Sequence, residues 1–292
     1  EITQSIIDGA EYCEFVIQIW EKEMVDVKAG SSANHDHDSP QYELWQIISM
    51  FSWPAVWFSF LIYIVGRQFI PEGGATPTWV MLAVTVLGTG AELAVGLVLL
   101  RREGYSLTLA LCDRIRWKWP KGWQAWLIAL GVLVAGMALS MMMGGANRAL
   151  ASVPGFMPPD WWPAASNPTV QVSSAADAFP DMTLQGNLLF VLLYFVIGLV
   201  FNIFGEELYY RGFLLPKMRG VFGSWDWVAN GILFTFKHVY QRWLFPGILV
   251  GGLGYAFAFG PLGSLPLAMI FHWIGNFLFQ MIFLVMAAFG LG

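Results

Sequence analysis

Charge is scarce in this chain of 292 residues: 12% are Asp, Glu, Lys or Arg, against roughly 25% in soluble domains. That scarcity excludes an ordinary soluble globular domain. The few bases form no stripe away from the flanks of the apolar segments, which excludes a nucleic-acid footprint. Cysteine is limited to Cys13 and Cys112. Both fall on segments assigned below to the cytoplasmic side, so no disulfide is expected. No internal repeat is present. The first residues carry neither an initiator Met nor a signal-peptide pattern, and a processed or trimmed N-terminus is the expectation. Histidine is rarer still, with four in the whole chain.

Apolar and aromatic residues fill the gap. Hydrophobic residues make up 57% of the chain, the mean hydropathy is +0.59, and there are 15 Trp and 23 Phe. A bilayer core needs about 20 apolar residues as helix. By that measure spans are expected near 44–66, 77–100, 123–143, 187–205, 226–243, 246–260 and 266–289. The fifth and sixth carry the weakest pattern, because Pro246 and Pro261 bracket a short Gly-rich stretch. The fold class is all-α: a polytopic membrane helical bundle of about six to eight transmembrane helices.

Three regions follow. Residues 1–43 form an acidic segment with ten acids and two lysines. Ile6, Ala10, Cys13, Ile17, Trp20 and Met24 recur there at helical spacing, and the polar face of that helix is acidic. Such a face suits docking on protein better than anionic lipid. Residues 29–40, with His35 and His37, read as a solvated linker. Residues 44–186 hold three spans and a long loop, 144–186, and residues 187–292 hold the remaining helices. Loop 101–121 carries six bases, which assigns it and the N-terminus to the cytoplasm and loop 144–186 to the outside. Residues 1–28 or loop 144–186 are the surfaces through which a membrane-complex partner would dock. Membrane lipid is the surrounding medium.

Ionisable residues at membrane depth are costly and mark function or pairing. Here they are Glu92, Glu206, Glu207, Arg211, Lys237, His238, Arg242 and His272. Glu207 and Arg211 are four apart and can pair, which leaves Glu206 on another face. Phe234 and His238 are four apart in "FTFKH", as are His272 and Asn276 in "HWIGN". A carboxylate and two imidazoles in an apolar site are tools for activating water. Two His and one Glu can equally hold a zinc ion, and an Asn amide with a His N–H can stabilise an oxyanion. Glu92 in "GTGAELAVG" reads chiefly as a helix-packing position bonded to a neighbour. A second function class stays open: His238 and His272 ligating a haem or chlorin, or a non-catalytic subunit of a larger membrane complex.

"EELYYR", "FTFKH" and "HWIGN", in this order on successive apolar segments, resemble the EExxxR, FxxxH and HxxxN motifs of the CPBP family of intramembrane proteases. That family includes type II CAAX prenyl endopeptidases and bacteriocin-processing, Abi-like proteins. The resemblance covers about residues 187–290. It implies Glu206 and His238 as the water-activating pair, His272 and Asn276 as oxyanion stabilisers, and Glu207, Arg211 and Phe234 as structural support. If a metal is used, Glu206, His238 and His272 are its implied ligands, with zinc the implied ion. The implied substrate is a membrane-associated or prenylated peptide or protein, and the loop charges put its cleavage toward the cytoplasmic side. One position departs from the family pattern. A small or aliphatic residue usually precedes the second-motif histidine, and here Lys237 stands there, where it is expected to crowd the cavity.

Overall fold

The computed structural model describes residues 40–106 and 109–291. The expected N-terminal helix and the linker with His35 and His37 lie outside the described residues. Five helical segments are long and apolar enough to cross a membrane: Leu44–Phe69, Thr78–Arg102, Trp123–Ala151, Leu188–Lys217 and Val239–Phe259. A sixth consists of Leu265–Asn276 and Leu278–Ala288, bent by 56° at the break. No strand occurs among the described residues. The chain is therefore a polytopic helical bundle.

The helices that build the site are α1 (Leu44–Phe60), α2 (Thr78–Arg102), α3 (Trp123–Ala151), α4 (Leu188–Ile197), α5 (Asp226–Lys237), α6 (Phe245–Phe259), α7 (Leu265–Asn276) and α8 (Leu278–Ala288). Beyond Ile197, α4 widens into π-helical turns over Gly198–Gly205 and Glu207–Leu214. Wide turns of this kind are frequent at functional sites. Here they flank Glu206 and carry the rest of the EExxxR segment.

The span expected at 226–243 does not form. Helix α5 has 12 residues, about 18 Å at 1.5 Å per residue, and is too short to cross alone. It ends because His238 leaves helical geometry (φ −84°, ψ 27°) and Gln241 follows at φ −133°, ψ 46°. The chain then turns back into α6, so α5 and α6 form a hairpin within the bundle. The tip is held by loop residues: the Trp243 indole N–H donates to Ser166 O at 3.1 Å, and Trp243 meets Trp162 edge-on at 4.7 Å. At the opposite end α6 is tied to the base-rich loop, where Arg116 donates to Phe259 O at 3.1 Å.

Glycine sets how closely the hairpin arms approach. A Cβ on Gly231 would lie 3.0 Å from the Leu253 backbone, and one on Gly252 would lie 3.0 Å from Gly231 O. The base-rich loop docks on the last turns of the α4 segment. Arg114 donates to Gly212 O at 2.8 Å and Phe213 O at 3.3 Å, and Glu103 bridges Arg114 and Lys217. Cations there satisfy carbonyls at a helix C-terminal end. Cys112 is disulfide-bonded, which corrects the expectation of reduced thiols. That expectation rested on compartment alone.

Two outcomes follow from this packing. Gly231→Ala should force the hairpin apart and destabilise the protein by about 1–3 kcal/mol, seen as a lower thermal midpoint in detergent. Gly254→Ala, whose new methyl meets nothing within 4 Å, should not. For topology, Lys121→Cys and Gln171→Cys in a cysteine-free background should react oppositely with an impermeant maleimide. The charge rule predicts labelling from outside at residue 171 alone; the reverse pattern would invert the protein, and labelling at both would break the span assignment.

Candidate functional site

Glu206 and Glu207 are adjacent but serve different neighbourhoods. The Glu207 carboxylate is fully buried and accepts from Arg211 NH1 at 3.0 Å. It also accepts from His272 Nδ1 at 2.8 Å. Arg211 in turn donates to Gly252 O at 3.3 Å and lies 4.1 Å from the Phe234 ring centroid. One ion pair thus joins the α4 segment to α5, α6 and α7.

Glu206 faces the other way. Its Oε1 accepts from Lys237 Nζ at 2.7 Å, and the same ammonium donates to Glu92 Oε1 at 3.0 Å. The Tyr210 hydroxyl adds a second donor to Glu92 Oε1 at 2.7 Å. The expectation that Lys237 crowds the cavity is corrected here. The two carboxylates draw its ammonium away, and it does not line the cavity. Oε2 of Glu206 lies 3.8 Å from His272 Nε2, too far for a hydrogen bond.

Tautomers follow from the partners. His238 Nδ1 lies 2.8 Å from Phe234 O; a carbonyl only accepts, so Nδ1 carries the hydrogen and Nε2 keeps a lone pair. Phe234 also packs edge-on against the His238 ring at 4.7 Å. His272 is fixed on three sides. Nδ1–H donates to Glu207, the Asn276 amide donates to Nε2 at 2.9 Å, and the Tyr255 ring stacks on the imidazole at 4.4 Å.

Glu206, His238, His272 and Asn276 all line one cavity of about 1340 Å³. Its other walls come from α3, from residues 162–172, and from the α7–α8 bend. The structure therefore brings the three motif segments together, with Glu207 and Arg211 packed behind them. No residue of the base-rich loop 101–121 lines this cavity. It lies toward the end of the molecule where loop 144–186 runs.

Among the described residues no group of three or more His, Cys, Asp or Glu converges as a metal site would. One oxygen of Glu206 is taken by an ammonium, and His272 Nε2 already accepts from Asn276. The residues present do not fit a zinc ion.

Glu92, expected to bond to a neighbouring helix, does so through Lys237 and Tyr210. Sequence reasoning missed two contributors. Tyr255 stands in a Gly-rich helix and gave no signal, yet it stacks on His272 and its hydroxyl lies 3.4 Å from Asn276 Oδ1. Asn202, four residues before Glu206, lines the cavity with Oδ1 buried and without a partner among the described residues.

Removing Arg211 should be the costliest change in this cluster. Arg211→Ala leaves the Glu207 carboxylate buried without its cation, at about 3–5 kcal/mol, and should abolish folded yield in detergent. Glu206→Gln leaves Lys237 paired with Glu92 and should fold. Equal loss from both would make Glu206 structural.

Residues 188–278 match the family described as type II CAAX prenyl endopeptidase, Rce1-like. The matched stretch contains all three motifs and every residue of the site except Glu92, and it supports the CPBP resemblance for this part of the chain. No curated protein and no solved structure matches the chain.

Proposed function

We propose, from the family match over residues 188–278, that this protein is an intramembrane endopeptidase that hydrolyses a peptide bond in a membrane-associated or prenylated peptide or protein. The observation that carries the reading is the common cavity of Glu206, His238, His272 and Asn276. In this reading water sits between Oε2 of Glu206 and Nε2 of His238. The imidazole lone pair orients it, and the carboxylate removes its proton as the oxygen attacks the substrate carbonyl. Asn276 uses one amide hydrogen on His272 and keeps a second for the oxyanion. His272 then acts chiefly by fixing that amide, held itself by Glu207 and Tyr255. Glu206 returns the proton to the leaving amine. No step requires a metal.

The cavity supports an extended peptide. Its walls mix apolar Met137, Met141 and Phe277 with the polar side chains of Asn147, Gln171 and Gln280. A farnesylated CAAX peptide is the first substrate to try, on the family's description alone. The test is cleavage of that peptide by purified protein, paired with a comparison of protein termini in cells with and without the gene. Glu206→Gln and His238→Ala should each lower turnover by about 10²–10⁴-fold and erase the same set of termini. Termini unchanged by presence, absence or substitution would make the chain a non-catalytic member of a membrane assembly.

A further inference from the structure

The buried ammonium of Lys237 is the feature the hydrolytic scheme leaves unused. It stands between two carboxylates from different helices, 2.7 Å from Glu206 Oε1 and 3.0 Å from Glu92 Oε1. The side chains of Lys237 and Glu92 are wholly buried, and that of Glu206 is 3% exposed. Three rings close around the ammonium, with centroids at 4.9 Å (Phe58), 5.0 Å (Tyr210) and 5.4 Å (Phe234). Two anions and an aromatic box hold a cation more firmly than either does alone. Glu92 therefore serves as an anchor: with Tyr210 it fixes where the ammonium sits, and the ammonium fixes Glu206.

We infer that Lys237 is a positioning residue and the resident cation of this site. It pins Oε1 of Glu206, so that Oε2 is the oxygen left for the cavity, and it holds a divalent metal off that carboxylate. A dication at Glu206 would have to displace the ammonium or bind beside it in a low-dielectric interior, where like charges repel strongly. The donor set agrees, since no three candidate ligands converge among the described residues. His238 keeps a free Nε2 lone pair, and His272 Nε2 is capped only by the neutral amide of Asn276, so the ammonium on Glu206 is the charged obstacle to a metal.

The inference deepens the proposed function and takes its catalytic meaning from it, but its test needs no turnover. The probe is Co²⁺ added to the full-length protein in detergent, read by d–d absorption and by bound stoichiometry. The unsubstituted protein should be silent. Lys237→Met should bind Co²⁺ at least about 100-fold more tightly, and a second substitution, Glu206→Gln, should remove the new spectrum. Lys237→Arg should restore silence, which a purely structural role for the side chain would not predict. Lys237→Gln, whose amide can still donate to both carboxylates, replaces the Met variant should that one fail to elute as folded protein. A Glu206-dependent spectrum in the unsubstituted protein would overturn the inference. So would silence in a folded Met or Gln variant, or a spectrum in the Arg variant. Absence of peptidase activity would sink the proposed function and leave the Co²⁺ result standing.

Discussion

The buried pair of Glu207 and Arg211 is the constraint from which the rest of the site is organised. Both side chains are inaccessible, and an unpaired charge at such depth costs several kcal/mol. The pair also uses more of its valence than a simple salt bridge. Glu207 holds His272 on α7, while Arg211 reaches a carbonyl of α6 and the face of Phe234 on α5. Three helices are thus registered to the α4 segment through groups that cannot be left unsatisfied in an apolar interior. Hydrophobic packing between helices in lipid is weakly directional. The ion pair supplies the direction.

A second consequence concerns the neighbouring glutamate. Because Glu207 takes Arg211, Glu206 has to find its cation elsewhere, and the wide turns of this segment aim it at α2 and the end of α5. The cation there is Lys237, shared with Glu92. One ammonium serves two carboxyl groups, with Glu206 also lining the cavity. An adjacent arginine-bound glutamate and a lysine-shared glutamate therefore perform opposite tasks. One secures the scaffold and the other turns an oxygen to the cavity.

Much of this was legible in the sequence. The spans near 44–66, 77–100 and 187–205 correspond to helices because long apolar runs at membrane depth have one solution for their backbone hydrogen bonds. The spacing of four within each motif permits its residues to share a face, and helix packing then brings Glu206, His238, His272 and Asn276 to one cavity. The failures share a cause as well. Residues 226–243 have the composition of a span, yet the helix stops at His238, where the backbone turns and the tip binds loop carbonyls. Hydropathy does not register a turn made inside protein. Lys237 was read by its size and adjacency to His238, while its partner Glu92 lies 145 positions away in sequence. Pairings of that range depend on helix packing, which periodicity within one segment does not encode.

The placement of the cavity ties two further questions together. The α5–α6 hairpin enters from the end where Arg116 holds Phe259, and its tip meets Ser166 and Trp162 at the other. His238 sits at that tip, and the α7–α8 bend brings Asn276 to the same level. The polar opening is therefore built into the end that carries residues 162–172, and α6 and α7 separate it from the base-rich loop. Loop charge is the ground for expecting both the bases and the site toward the cytoplasm. The hairpin links the two ends: the base-rich loop binds one end of it and residues 162–166 bind the other, so fixing the side of one fixes the other.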